Sequence, residues 1–299
     1  MLRYLIDFLK KSDVEYYENF DISQTSYIGI GGSVKLFVKP QSAEILIRTV
    51  NILYSESIPY KIVGAMSNIL PVDGFYDGVI LSTRKIKSYS LAETTVTIDT
   101  GARLSRVISE ISRLGFGGME SLYGIPGSVG GMIYGNAGAY GREISDFFIS
   151  ALLYDPQKRF IYTQTAFDME FSYRKSALKQ NGCILLSTTL ALKKANSEKI
   201  RSELIATLSK RKSTQPFGEK SLGSIFKRSG DIPVSKLIDE LGLKGYSVGG
   251  AEISKKHAGF IINRNNASAR DVKELIAYIK SKLKIAYGID AEEEIEFLQ

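Results

Sequence analysis

The chain has 299 residues, 44% of them hydrophobic and 24% charged, the balance of a folded globular protein of about two domains and neither a disordered nor a fibrous one. Its 39 Lys and Arg against 32 Asp and Glu give a formal charge of +7, and no apolar run approaches the roughly 18 residues that a membrane-spanning helix needs. The single cysteine, Cys183, excludes an internal disulfide and makes a reducing cytoplasm the expected setting.

In chain order, the first twenty residues are broken by charges every few positions and contain no small-residue cleavage site, so a secretion signal is not expected. The first third reads as a β-α-β unit, with strands at 34–39 and 60–63 around a helix at 42–57. A strand at 94–99 opens a second unit. The helix after it carries the stripe Leu104, Val107, Ile108 and Ile111 and stops at Gly115. Further strands are expected at 147–154, 158–163 and 183–192. Around 193–213 the chain turns basic and helical, which marks a domain boundary. Two amphipathic helices follow. One carries Val234, Leu237, Ile238 and Leu241 and ends at Gly242. The other carries Val272, Leu275, Ile276, Ile279 and Leu283, opens at the Ser268/Asp271 pair and closes at Gly288. The fold class is α+β.

Charge is concentrated. Residues 191–228 hold ten Lys and Arg against three Glu, so this segment equals the whole net charge. Either it attracts a polyanionic ligand or it is a solvated helix and loop. Nucleic acid is not expected, because aromatics are not interleaved with the basic residues and no recognition motif is present.

Glycine is concentrated too: ten of the 27 fall within residues 115–141. They alternate with Ile, Val, Met and Tyr rather than Ser, which reads as backbone packed closely against something that leaves no room for side chains. Three glycine-bearing segments could approach phosphate: 29–32, 64–68 and 124–131. In the last, closely spaced amides could converge on an anion. Each alone is also explained as a turn. Together with 135–138 they suggest a large phosphate-bearing cofactor. The nucleotide-binding GxGxxG is absent, since Val34 stands where the third glycine should be, and so is GxxxxGK[ST]. One histidine, His257, and one cysteine cannot build a zinc site or a convincing triad, so a structural role for His257 is expected. Arg174 among aromatics, Ser224 between small and apolar neighbours, and the acidic run 292–296 stand out. By composition alone they read as a surface arginine, a capping serine and a solvated tail.

The ordered set GIGGSVKLFVKP (29–40), MSNIL (66–70), GIPGSVGG with GNAGAYG (124–141), FSYRKS (171–176), GSIFK (223–227), LIDELGLKGYSVGGAEIS (237–254) and AEEEIEFL (291–298) closely resembles the UDP-N-acetylenolpyruvoylglucosamine reductases, in the shorter of that family's two forms. The resemblance implies a flavoenzyme that reduces UDP-N-acetylglucosamine-enolpyruvate to UDP-N-acetylmuramate for peptidoglycan, with non-covalent FAD and NADPH as co-substrate. It implies a two-subdomain FAD-binding fold of the vanillyl-alcohol oxidase type over 1–80 and 81–198. A substrate-binding domain would follow at 199–299, its tail returning to the active site. The family's catalytic residues map onto Arg174, Ser224 and Glu294. Its cofactor contacts map onto Gly64, Ala65, Met66, Ser67, Asn68 and Ile69, onto Gly124, Ile125, Gly127, Ser128, Gly130 and Gly131, and onto Asn136, Ala137 and Gly138. Tyr173, Lys227 and Arg228 would meet the substrate. The expected protein is a cytoplasmic monomer without nucleic-acid or membrane partners. The sequence departs from the family pattern at Ala65-Met66, where the flavin loop commonly has glycines or Asn-Gly, at Arg228-Ser229, where Asn-Pro is usual, and at Gly259, where Asn is common. The alternatives are another FAD-dependent oxidase of the same superfamily and a non-catalytic nucleotide- or polyanion-binding protein. The latter would purify colourless and bind polymer with strong salt dependence.

Overall fold

Local signals place the helices close to where the sequence puts them. Ser42 accepts a hydrogen bond from Ile45 N and starts the helix Ala43–Ser55. Ser268 and Asp271 form a reciprocal capping box at the head of Ala269–Tyr287, and Gly288 closes that helix at φ 69°. The apolar stripes 104–111 and 234–238 become the buried faces of Leu104–Ser112 and Val234–Glu240.

The computed structural model describes residues 2–298. They group into two units, each assembled from three stretches of chain: 2–18, 36–65 and 77–209 in one, and 19–35, 66–76 and 210–298 in the other. The contiguous division at 80 and 198 does not anticipate this. Residues 19–35 and 66–76 belong with the C-terminal part, and the break near 199 falls within the helix Ser197–Thr214.

Two larger sheets are built mainly from the first unit, beside two short two-stranded pairings, Gly138–Ala139 with Arg142–Glu143 and Phe116–Gly117 with Lys193–Lys194. One larger sheet has the strand order Glu15–Asp21, Ser33–Lys39, Tyr76–Ser82, Tyr60–Val63, the last two parallel with Tyr60 opposite Val79. Tyr76–Ser82 therefore lies between the two strands of the expected β-α-β unit. Its Val79, Ile80 and Leu81 are all fully buried, so the strand shows a continuous apolar run with no alternation to mark it. The helices Arg3–Lys11 and Ala43–Ser55 contribute Leu5, Leu9, Leu46, Val50 and Leu53 to the apolar cluster on this sheet.

The other sheet is antiparallel, in the order Phe160–Thr165, Phe148–Asp155, Ile184–Ala191, Thr95–Asp99, Tyr89–Ala92. The strand expected at 158–163 begins two residues later, because Asp155 Oδ1 accepts from both Gln157 N and Lys158 N and turns the chain there. Its core, with Val96, Ile98, Val107, Ile111, Met132, Ile133 and Leu153, carries the glycine-rich stretch.

In the second unit an antiparallel sheet runs Ser221–Ser224, Phe260–Asn263, Ala251–Ile253, Ser247–Val248. Val234–Glu240 and Ala269–Tyr287 share its apolar cluster. The earlier stretches are tied in by side chains: Asp73 accepts from Ala269 N (2.5 Å) and Arg270 N (2.9 Å), and Asn263 Nδ2 donates to Ile28 O (3.0 Å). The strand Glu296–Phe297 pairs in parallel with Ile69–Leu70.

Of the ten basic residues in 191–228, Arg211 is buried, Lys227 is half-buried and eight are exposed. They are spread along a helix and the chain on either side of it, which is the solvated arrangement rather than one focused patch. Among the described residues no helix is long and apolar enough to cross a membrane.

Candidate active site

The two units divide the candidate residues. Gly64, Ala65, the 124–138 stretch, Tyr173 and Arg174 lie in the first; Met66, Ser67, Asn68, Ile69, Ser224, Lys227, Arg228 and Glu294 lie in the second.

Arg174 sits on a tight turn. Ser172 and Lys175 exchange backbone hydrogen bonds in both directions (3.1 and 3.0 Å), leaving Tyr173 and Arg174 at the corner. Arg174 has φ 58°, a left-handed conformation that costs a non-glycine residue roughly 1–2 kcal/mol. Glu93, Arg159 and Glu170 share this conformation, so the turn geometry by itself does not set Arg174 apart. The guanidinium carbon lies 4.9 Å from the Tyr173 ring centroid, and Nη1 lies 3.9 Å from Glu143 Oε1.

The 124–131 segment is not wholly a loop. Ser128 caps a short helix, Val129–Tyr134, which takes in Gly130 and Gly131. Most of its amides already have acceptors in the chain. Gly124 N donates to Ser105 Oγ, Ile125 N to Leu122 O, Val129 N to Ala102 O, Gly130 N to Thr100 O and Gly131 N to Ser128 Oγ. The amide nest expected from the sequence is thus largely consumed within the fold. Chain packing also accounts for some of the glycines. A Cβ at Gly64 would lie 1.8 Å from Ser128 Oγ, and one at Gly130 would lie 2.2 Å from Thr100 Oγ1. Gly131 is different. A Cβ there would meet only Ser128 Oγ at 3.6 Å, an ordinary contact, and glycine within a helix costs about 0.5–1 kcal/mol relative to alanine. Nothing in the chain itself requires a glycine at this position.

Asn136, expected as a cofactor contact, is fully buried, and its amide bonds are made within the chain. Gly138 pairs with Glu143 in a hairpin, and Ala137 N–H and C=O are bonded to Met132 O and Ile144 N. Through Asn136 Nδ2 and Ser172 O this stretch braces the Arg174 turn.

In the second unit the acidic tail is brought alongside Ser224. Glu294 N donates to Ile225 O (2.7 Å), Lys227 N donates to Glu292 O (2.9 Å), and Phe226 and Glu293 form an antiparallel bridge. Asn68 Nδ2 donates to Glu294 O (3.0 Å). The three consecutive glutamates separate by partner. Glu292 pairs with Lys227, Glu293 pairs with Lys280 at 2.9 Å, and Glu294 is fixed through its backbone on both sides. Ser224 Oγ donates to Phe226 O (3.2 Å). Lys227, expected at the substrate and as an assistant to Ser224, spends its ammonium on Glu292. Arg228 Nη2 donates to Asp231 O within its own turn (2.6 Å).

The departures from the family pattern find local reasons. Met66 adopts φ 53° and is buried, with 3% exposure, so its bulk turns into the protein. At Gly259 a Cβ would lie 2.8 Å from Ser235 Cβ, and the backbone of Gly259 accepts from Ile225 N and donates to His257 Nδ1. Burial, followed by the Lys244 charge, holds His257 below its usual pKa, so at neutral pH it is an uncharged acceptor in a structural role. Glu143, whose Oε1 approaches Arg174 Nη1, is a neighbour of the candidate residues that the motifs do not single out. Its only signal in the sequence is adjacency to GNAGAYG, and the arginine it approaches lies more than thirty residues away.

Residues 34–160 match the family described as FAD binding domain, and residues 215–298 match the C-terminal domain of UDP-N-acetylenolpyruvoylglucosamine reductase. A protein of that name from Caldicellulosiruptor bescii is 39% identical over 97% of this chain and 93% of its own length. One from Clostridioides difficile is 37% identical over 98% and 96%. The crystal structure of UDP-N-acetylenolpyruvylglucosamine reductase from Thermus caldophilus superimposes with a TM-score of 0.81 at 30% identity, covering 96% of this chain and 99% of that one. With relatives this similar along nearly their whole lengths, the chain belongs to the UDP-N-acetylenolpyruvoylglucosamine reductase family.

Proposed function

We propose that the chain reduces the enolpyruvyl ether of UDP-N-acetylglucosamine-enolpyruvate to UDP-N-acetylmuramate for peptidoglycan, with Arg174, Ser224 and Glu294 as its catalytic residues. Bound FAD would supply the hydride chemistry that links NADPH to the terminal carbon of the enolpyruvyl double bond. The fit of this chain to the cofactor rests on Gly131, whose missing side chain leaves backbone approachable where no part of the fold fills the space. The chain's own groups then handle charge and a proton. As the double bond is reduced, negative charge collects on the neighbouring carbon and the carboxylate, and the fixed guanidinium of Arg174 stabilises it. Ser224 delivers the proton to that carbon. A hydroxyl is a weak acid, so this transfer proceeds only to a strongly basic carbon held within hydrogen-bond reach. Glu294 orients the reacting end of the substrate.

The observation that carries the assignment is the pairing of 225–227 with 292–294, which fixes Ser224 and Glu294 in one unit although they are seventy residues apart. The FAD-binding match supports assigning the cofactor to the first unit, which draws on both proposed subdomains, 1–80 and 81–198. The C-terminal match supports assigning the sugar nucleotide to 199–299 together with the two earlier stretches packed there. The reading also takes the protein to be a cytoplasmic monomer.

The test is anaerobic stopped-flow absorbance of the flavin. In Ser224→Ala, NADPH reduces the flavin at the parent rate, and reoxidation by the enolpyruvyl substrate falls by at least a hundredfold. Reoxidation at the parent rate removes Ser224 from the mechanism.

A further inference from the structure

The turn that carries Arg174 is braced by two side chains of the neighbouring hairpin. Asn136 is fully buried, and its amide has both kinds of group engaged. Nδ2 donates to Glu143 Oε2 at 2.7 Å and to Ser172 O at 3.0 Å, and Oδ1 accepts from Ser145 N at 3.2 Å. The amide can point only one way. Flipped, its oxygen would face a carboxylate and a carbonyl, and its nitrogen would face an N–H. Asn136 therefore fixes the first residue of the Arg174 turn and, with the other hydrogen of the same amide, one oxygen of Glu143. A capping interaction from Asp146 N to the Glu143 side chain adds a second donor, and Glu143 N donates back to Asp146 Oδ2 at 3.0 Å. With one oxygen pinned, the other, Oε1, stands 3.9 Å from Arg174 Nη1. On the far side of the turn, the fully buried Ser176 donates to Tyr134 O at 2.8 Å.

We propose that Glu143, oriented by Asn136, is a positioning residue for Arg174, holding the guanidinium in the orientation from which it meets the charge developing on the substrate. This rests on the reading of Arg174 as the catalytic cation. The fold gives Glu143 the means. An arginine side chain has several rotatable bonds, and a cation that must be in place before charge develops gains from being ordered beforehand. At 3.9 Å the carboxylate is a directional restraint and not the bidentate clasp that would neutralise the cation.

Glu143→Gln is the informative variant, because its amide oxygen can still accept from Asn136 while the charge facing Arg174 is gone. In the FAD-loaded enzyme we expect flavin reduction by NADPH within twofold of the parent. Reoxidation by the enolpyruvyl substrate slows about tenfold, about 1.4 kcal/mol, without a rise in KM. Arg174→Lys slows reoxidation more, and the double variant is no slower than Arg174→Lys alone, since Glu143 acts through Arg174. In the flavin-free chain, amide hydrogen exchange across 171–176 speeds at least threefold in Glu143→Gln, a readout independent of turnover. Parent-like reoxidation in Glu143→Gln, multiplying effects in the double variant, or unchanged exchange overturns the inference and leaves the role of Arg174 intact. Parent-like reoxidation in Arg174→Lys overturns both.

Discussion

Gly130 and Gly131 are neighbours in one short helix, yet the structure assigns them opposite responses to the same substitution. At Gly130 an added Cβ lies 2.2 Å from Thr100 Oγ1 and 3.0 Å from Thr100 O, where Gly130 N already donates to that carbonyl at 2.7 Å. Ordinary contact begins at about 3.4 Å, so the overlap exceeds an ångström against a buried residue. Overpacking of this kind costs about 1–3 kcal/mol, or roughly 2–12 °C in the melting of a unit of this size. At Gly131 the nearest atom is 3.6 Å away. Removing the glycine penalty stabilises the flavin-free chain by up to ~1 kcal/mol, roughly 1–4 °C. The methyl group then points into space that the chain leaves open, and FAD affinity falls at least tenfold. The assays are thermal unfolding of flavin-free protein and fluorescence titration with FAD. A Gly131→Ala variant that melts as low as Gly130→Ala, or that binds FAD with parent affinity, refutes the reasoning.

Two further outcomes follow from particular contacts. Glu15 is held by Lys39, Lys85 and Tyr17, in that order of influence, and its pKa drops from about 4.5 to about 2. A carboxylate with a depressed folded-state pKa stabilises above its unfolded value and loses that contribution as pH falls toward its folded one. Because Glu15 is about one-third exposed, Glu15→Gln should cost only about 1 kcal/mol at pH 7. The gap to the parent in urea unfolding should close between pH 4.5 and 2; a gap that persists at pH 2 rules out the ion-pair explanation. Ile295 is 4% exposed and sits in the core of the second unit beside Glu294. Truncating it to alanine should cost about 2–5 kcal/mol and slow flavin reoxidation by loosening the tail. Unchanged unfolding and reoxidation would mean that the tail is not held by this contact.

What the sequence makes legible here is what is local. The Ser268/Asp271 box, the Gly288 stop and the stripe 104–111 each depend on residues within a few positions of one another, so spacing suffices to find them. The strand Tyr76–Ser82 escapes because both its faces are buried and its pattern has no period. The tail's partners escape because the Asn68–Glu294 contact spans 226 residues. Arg174, Ser224 and Glu294 are visible only through resemblance to a family. Spacing offers a surface arginine, a cap and a solvated acid just as readily. The glycine-rich stretch was half legible. Tight packing was correct, but much of what presses on it is the protein itself, Thr100 and Ser128 included, and its amides are mostly engaged at home.

The discontinuous make-up of the second unit has a consequence for biogenesis. Residues 19–35 and 66–76 leave the ribosome long before 210–298, yet the main apolar cluster of that unit combines Ile28, Ile30 and Leu70 with Ile276 and Ile295. During synthesis these early segments wait, apolar and unburied, while the sheet at 89–191 can already close around its own core. An abortive product ending near residue 209 would thus carry a finished first unit and two exposed greasy strips, a form that protein quality control is equipped to recognise and remove.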